Sequence, residues 1–412
     1  MVKILFVSDV HLGIRYPYHI DLRTGISQRT MDFVTGLKRV VNYAIDNGID
    51  IFVICGDLFD RVSIGPTLLR IVREQIWQPL IQSKIPVIVI GGNHDTPQIL
   101  EKGTPFGELT LIPNWLTVRI PQVHKILPKS NSEEIGFILL PYMTATQAID
   151  YVEQELGEEI PKEDQLIQSQ ILFSEWINHQ VDKLETRIKI IVGHSYFQGS
   201  KIGIIPYPDL LPHEFQFNKE IIPLNKVDLV VFGHIHTQQI LYNGKVLIPG
   251  SLERVDYGEI GEDKGFYIFD TITTSLNFIP NNARKLLRLV VEVPINEKDP
   301  TKYIIAKFLE ETELNESIFR LEIVISSHLQ KKVRLKEIKE KLQKKTFHYE
   351  IYWYTQEEYQ YPVILSEFIL EPRALFLDYI SEKYEKYPYF KDLREKGLKI
   401  LEEALSKVEE TN

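Results

Sequence analysis

The sequence predicts an α/β fold in which two packed β-sheets are flanked by helices, followed by a small α+β domain and a C-terminal helical tail. Three observations predict it. Five short apolar, largely β-branched runs at 2–7, 49–54, 85–90, 188–192 and 227–232 have strand length, and most carry at most one polar residue, as expected for strands buried on both faces. Each run feeds directly into a polar cluster rich in Gly, Asp and His. From about Arg284 the pattern changes to alternating, strand-like runs separated by helical stretches.

Taken in order, 2–7 is the first strand, and 15–29 is a loop rich in Tyr, Arg and turn residues. Phe33, Leu37, Val40, Val41 and Ala44 then mark one face of a helix. The run 49–54 is the second strand, 68–77 a second helix, 85–90 the third strand, and 101–111 a loop or short helix. A strand at 135–140 precedes a polar helical stretch from 145 to about 183, after which 188–192 and 227–232 are strands. The runs 245–248 and 265–270 close the second sheet, so residues 1–280 read as one two-sheet α/β domain. Strands at 287–293, 318–325 and 349–354, with helices at 303–309 and 333–344 between them, make a small βαβαβ domain over 284–365. The tail, 372–412, reads as two helices broken near Tyr387-Pro388. Leu375, Phe376, Tyr379 and Ile380 mark one apolar face, and Leu393, Gly397, Ile400, Leu401, Leu405 and Val408 mark the other.

The polar clusters carry the chemistry. They are Asp9-x-His11, Gly56-Asp57, Gly92-Asn93-His94-Asp95, Gly193-His194 and Gly233-His234-x-His236. Together they place carboxylate, amide oxygen and imidazole at the C-terminal ends of successive strands, where open α/β sheets bind their substrates. Glycine before Asp57, Asn93, His194 and His234 lets the backbone turn sharply as it leaves the sheet. This is the donor set of a two-metal hydrolase. Thiolate ligands are missing, because the single cysteine, Cys55, sits inside a strand and is expected to be a core residue. Mixed carboxylate and imidazole favours Mn²⁺, Fe²⁺ or Zn²⁺ over Ca²⁺. Asp95 is expected to brace its loop by hydrogen bonds.

Composition sets outer limits. A chain of 412 residues with 44% hydrophobic content should form two to three well-packed domains. A single Cys excludes a disulfide framework and fits a reducing interior. No apolar run approaches membrane-span length and no signal core follows Met1, so a soluble cytoplasmic protein without membrane contact is expected. The net charge of -10 argues against nonspecific, charge-driven binding to DNA. Much of that acid lies in peripheral runs at 153–164 and 402–410.

The series D-x-H, G-D, G-N-H-D, G-H and G-H-x-H, in this order, resembles the calcineurin-like metallophosphoesterases. Its wording, Ser8-Asp9-Val10-His11-Leu12-Gly13, Gly56-Asp57-Leu58-Phe59-Asp60 and Gly233-His234-Ile235-His236, is most similar to the SbcD-like nucleases of DNA double-strand-break repair. Pro249-Gly250-Ser251 resembles a turn frequent in that family. The resemblance implies a four-layer αββα fold over 1–280, a domain at 284–365 that caps the nuclease and helps select DNA, and C-terminal helices over 372–412 that grip a partner ATPase. It implies that Asp9, His11, Asp57 and His236 hold one metal ion and that Asp57, Asn93, His194 and His234 hold a second, with Asp57 bridging. His94 corresponds to the family's catalytic histidine, which contacts the phosphate or protonates the leaving alkoxide. The implied cofactors are two Mn²⁺ ions per chain, with Fe²⁺, Zn²⁺ or Mg²⁺ as other occupants. The implied partners are DNA, an SMC-like ABC-type ATPase of the SbcC class, and a second copy of the chain. The implied activity is double-strand exonuclease and single-strand endonuclease.

Some readings stay open at this level. Arg15, Tyr16, Tyr18, His19, Arg23 and Arg29 could contact a phosphate backbone or stack on bases, or simply pack a surface loop. Lys331, Lys332, Arg334, Lys336, Lys339, Lys341, Lys344 and Lys345 could meet a duplex, or form a solvated helix together with Glu337 and Glu340. The tail helices could bind a partner or pack on their own domain. A small-molecule phosphodiesterase or protein phosphatase of the same fold, and a non-catalytic scaffold, are the rival functions. One departure stands out. Many relatives carry a second active-site His three residues after the bridging Asp, where this chain has Asp60.

Overall fold

The computed structural model describes residues 2–95, 104–130, 133–157, 165–201 and 214–355, together with positions 390, 394 and 396–398. Residues 1–356 form one compact unit and residues 357–412 a second.

The first half runs β1 (Lys3–Val7), α1 (Gln28–Asp46), β2 (Ile51–Ile54), α2 (Pro66–Val72), α3 (Gln78–Ser83), β3 (Val87–Ile90), α4 (Pro105–Glu108), β4 (Trp115–Val118), β5 (Gln122–Ile126) and β6 (Ile135–Leu140). It continues through α5 (Ala145–Leu156), α6 (Gln165–Lys183), β7 (Lys189–His194), β8 (Leu229–Gly233), β9 (Gln239–Leu241), β10 (Val246–Ile248), β11 (Gly265–Asp270) and β12 (Ser275–Pro280). One sheet has the order β12-β11-β1-β2-β3-β4 and the other β5-β6-β7-β8-β10-β9. Both are mixed: β1 to β4 are parallel with antiparallel β11 and β12 outside them, and β6, β7, β8 and β10 are parallel between antiparallel β5 and β9.

The central strands are buried on both faces, and each face has its own destination. Ile4 and Phe6 of β1, Ile51 and Val53 of β2, Ile190 and Val192 of β7, and Leu229 and Val231 of β8 meet in a core between the two sheets. The alternate residues Leu5, Val7, Phe52 and Ile54 pack with Phe33, Leu37, Val40 and Val41 of α1. On the other side Ile191, Val230 and Phe232 pack with Ala148 and Val152 of α5 and Phe173 and Ile177 of α6. Period-2 alternation under two unlike apolar layers produces four layers, helix, sheet, sheet, helix.

Helix ends follow local chemistry. The Ser27 hydroxyl caps α1 by accepting from Thr30 N at 3.0 Å. Thr144 and Gln147 form a capping box at the start of α5, which ends at Gly157 in the left-handed region. The second helix is longer than its apolar pattern suggests. It runs from Pro66 to Ser83 through a π-helical turn at Arg73–Trp77 and stops at Lys84, whose φ is 59°.

A third sheet, β13 (Leu286–Glu292), β14 (Ile318–Val324) and β15 (His348–Tyr354), is parallel throughout. Its strands are linked by α7 (Pro300–Leu309), α8 (Ser327–Gln330) and α9 (Leu335–Lys345), and Ile304, Phe308, Ile338 and Leu342 from α7 and α9 close its core. Among the described residues no helix is long and apolar enough to cross a membrane. In the tail, the residues assigned to the two apolar faces lie outside the described residues, apart from Gly397 in a helical stretch.

Candidate metal centre

All five clusters leave the C-terminal ends of parallel strands: β1 for Asp9 and His11, β2 for Asp57, β3 for Asn93, β7 for His194 and β8 for His234 and His236. Two glycines are needed there for space. A Cβ on Gly56 would stand 2.0 Å from His194 Nδ1, and one on Gly92 would stand 2.1 Å from Asp57 Oδ1. The backbone is strained at the same place. Asp9, His11, Asp57 and His234 have φ of 49°, 51°, 47° and 91°, values that L-residues adopt at a cost and that cluster at functional sites.

The side chains converge. Asp9, His11 and His236 form one group whose donor atoms lie within 4.8 Å of one another; His11, Asp57 and His94 form a second, and Asp57, His194 and His234 a third. Asp57 is common to the last two. Asn93 Oδ1 joins the third group, 3.1 Å from His194 Nε2 and 3.0 Å from His234 Nδ1.

The imidazoles are oriented from behind. His194 Nδ1 donates to the Cys55 carbonyl at 2.8 Å, His236 Nδ1 donates to Glu259 Oε1 at 3.0 Å, and His234 Nε2 lies 3.3 Å from Glu214 Oε2. Each ring therefore turns its other nitrogen toward the centre, the arrangement in which an outer acceptor fixes the tautomer of a metal-ligating histidine. His11 Nε2 and His236 Nε2 face each other at 3.1 Å, and His11 Nδ1 has no hydrogen-bond partner among the described residues. Burial pulls His11 down to about 4, which keeps its lone pair available. Buried carboxylates, converging lone pairs and an absence of thiolate fit a pair of divalent cations bound by oxygen and nitrogen.

Between Asp57 and His194 the electrostatics are those of a buried ion pair, 3.4 Å apart. Burial works to lower the His194 imidazole, but the Asp57 carboxylate lifts it to about 10. Burial likewise works to raise Asp57, and His194 holds it well below the usual carboxylate range.

His94 is exposed at the rim. Its backbone N–H donates to Asp57 Oδ1 at 2.9 Å, its Nδ1 donates to the Asp60 carbonyl at 3.0 Å, and its ring meets His11 edge-on at 4.9 Å. Asp95 braces the turn, accepting from Gly92 N at 2.8 Å and Leu58 N at 2.7 Å. Asp60 pairs with Arg61, and its Oδ1 stands 3.9 Å from His11 Nδ1.

Glu214 and Glu259 also serve the centre, and no local sequence pattern marks them. Neither belongs to a motif, and each reaches its histidine from a different segment, 20 and 23 residues away in sequence. A buried lysine, Lys264, holds Glu259 Oε2 at 2.5 Å and the His236 carbonyl at 2.9 Å.

Of the loop residues expected at DNA, Arg15, His19 and Arg23 are exposed and Tyr16 is half-buried. Tyr18 stacks on His348 of β15 at 3.6 Å, and His19 lies 4.7 Å from the Phe347 ring. Arg29 is a correction. It is fully buried, bonded to Glu253 Oε2 at 2.8 Å, Asp32 Oδ2 at 3.1 Å and the Arg254 carbonyl, so it cannot reach a phosphate outside. Lys331, Lys332, Lys336, Lys339, Lys341, Lys344 and Lys345 are all exposed, as either reading of that stretch requires.

The model of the calcineurin-like phosphoesterase family matches residues 2–238. The SbcD component of the nuclease SbcCD from Staphylococcus epidermidis is 23% identical over 292 residues, covering 66% of this chain and 71% of that protein. Among solved structures, a dimetal phosphatase from Danio rerio aligns at a TM-score of 0.40 and 10% identity, covering 68% of this chain and 97% of its own. GAP50 of Plasmodium, described as the anchor in the inner membrane complex, aligns at 0.38 and 15% identity, covering 68% and 85%.

Proposed function

The chain belongs to the calcineurin-like phosphoesterase family, a family of dinuclear metal-dependent phosphoester hydrolases, and from that premise we propose that it is a Mn²⁺-dependent DNA nuclease. In this reading it is a double-strand exonuclease and single-strand endonuclease of double-strand-break repair. The hydrolase reading is carried by one observation: three imidazoles anchored from behind turn their free nitrogens toward two buried carboxylates and one amide oxygen. The DNA reading is supported by the wording of the motifs and by the similarity to a nuclease component.

Asp9, His11, Asp57 and His236 would hold one cation, and Asp57, Asn93, His194 and His234 the other. Bound there, the ions would polarise the phosphodiester and supply a hydroxide nucleophile at neutral pH. Glu259 and Glu214 keep the rings of His236 and His234 aimed inward, and Asp95 fixes the turn that presents Asn93. His94 donates Nδ1–H to the Asp60 carbonyl, so its charged form offers Nε2–H to the leaving alkoxide.

Arg15, Tyr16, His19 and Arg23 are the proposed DNA contacts from the loop after the first motif. Residues 1–280 act as the nuclease domain, 284–365 as its cap, and 372–412 as the grip on an SMC-like ATPase of the SbcC class. The active form is a homodimer in the cytoplasm. Incubating the chain with Mn²⁺ and labelled duplex, single-strand and hairpin DNA, beside a small phosphodiester, tests the reading. Metal-dependent cutting that stops with chelator is the expected result. Hydrolysis of the small diester with all three DNAs left intact would contradict the DNA reading and keep the hydrolase.

A further inference from the structure

Beside the candidate metal centre lies a cleft of about 560 Å³ that the chemistry above does not use. Its walls are the segments that follow the first two motifs, 13–30 and 61–68. Both start at the centre itself. Ile14 N donates to the His11 carbonyl at 3.3 Å, and Arg61 directly follows Asp60, whose carbonyl holds the His94 ring. Consecutive Cα atoms are about 3.8 Å apart, so the rim of the cleft begins one residue from the support of that imidazole.

We propose that this cleft takes an unpaired nucleobase next to the scissile phosphate, an inference that rests on the DNA substrate proposed above. The volume lies within the usual range for small-ligand sites, about 300–1,000 Å³. Tyr16, Ile26, Ile64 and Leu68 offer apolar faces, while Thr67 offers a hydroxyl that can meet the polar edge of a base. Arg15 is exposed at this lining with no ion pair or hydrogen bond among the described residues. A free guanidinium at the lip of an apolar slot suits a phosphate attached to a planar ring. In a chain of net charge -10, a cation left unpaired beside this centre is a local feature rather than part of a general basic surface.

The aromatic wall is held in place before any ligand arrives. The Tyr16 ring packs 6.2 Å from that of Phe33 at 25°, the Arg29 guanidinium lies 5.7 Å from its centroid, and its hydroxyl donates to the Val255 carbonyl at 3.4 Å. Two residues on, Tyr18 is stacked on His348, which ties the same loop to the third sheet. A fixed aromatic face with a cation beside it is the sequence-tolerant platform on which single strands stack.

The test is equilibrium binding of a fluorescent hexanucleotide backbone to the full chain in chelator, so that nothing is cut. One strand is abasic throughout and the other carries a single base. The single base should tighten binding about tenfold, within the range that stacking one base delivers. Ser63→Trp, which fills the cleft from its exposed edge, should remove that gain, and Arg15→Ala should weaken both strands alike. If Ser63→Trp lowers the melting temperature, Thr67→Phe fills the cleft from a second position on the same wall. No gain from the base, or a gain that survives filling, overturns the proposal, as does failure of the base-bearing strand to bind. A base-dependent gain followed by no cutting once Mn²⁺ is added would leave the cleft standing and overturn the nuclease reading.

Discussion

Glu259 Oε1 accepts the Nδ1 proton of His236 at 3.0 Å while its Oε2 accepts from Ser251 Oγ at 2.9 Å and meets Lys264. The carboxylate is thus clamped on both oxygens, and the ring it orients is aimed inward. Loss of such an outer partner typically costs about 10–100-fold in metal affinity. Glu259→Ala should therefore weaken one Mn²⁺ site by about that factor, and Glu259→Gln, which keeps an acceptor oxygen, should lose less. Calorimetric titration separates the two variants, and unchanged affinity in both would show that His236 needs no support.

His94→Ala should bind Mn²⁺ and DNA nearly normally yet cut about 10²–10⁴ times more slowly, the range for loss of a general acid. A substrate with a good leaving group should lose less, because an alkoxide that departs readily needs no proton. Equal losses for good and poor leaving groups would assign His94 to phosphate positioning. Loss of an ion would make it a ligand, as its place beside His11 and Asp57 permits.

Arg29→Met should act on stability and leave the phosphate contacts untouched. The guanidinium is fully buried against Glu253 and Asp32, and removing one partner of a buried pair costs about 3–5 kcal/mol because the remaining charge is stranded. Urea denaturation should show that loss. A variant of unchanged stability would contradict that cost.

Gly92→Ala tests the packing behind Asp57. The added methyl would stand 2.1 Å from Asp57 Oδ1 and 2.4 Å from its backbone N, so the carboxylate or its turn must move. Reduced Mn²⁺ uptake with secondary structure retained by circular dichroism is expected; full uptake would mean that the turn yields without disturbing the ligands.

The strands that carry the centre were readable because burial on both faces makes them continuous apolar runs, as in Ile51–Ile54 and Leu229–Gly233. The edge strands were not. Gln122–Ile126, Gln239–Leu241 and Ser275–Pro280 are partly exposed, so their polar residues dilute the pattern, and Trp115–Val118 is half-buried at its two middle positions. Motif spacing brought out the residues that converge at the centre, because each follows a strand end at once. Glu214 and Glu259 act through tertiary approach alone, which no local pattern records. Arg29 was misjudged for the same reason: the carboxylate that buries it, Glu253, is 224 residues away.

A dinuclear centre joined by Asp57 rests on a carboxylate that shares one donor group with His11 and His94 and another with His194 and His234. Titration of the chain and of Asp57→Asn with Mn²⁺ by calorimetry, with DNA cleavage followed in parallel, tests it most directly. Two ions per chain in the parent, weakened binding of both in the variant and no cleavage are the predicted results. Two ions bound at full affinity by Asp57→Asn would contradict it.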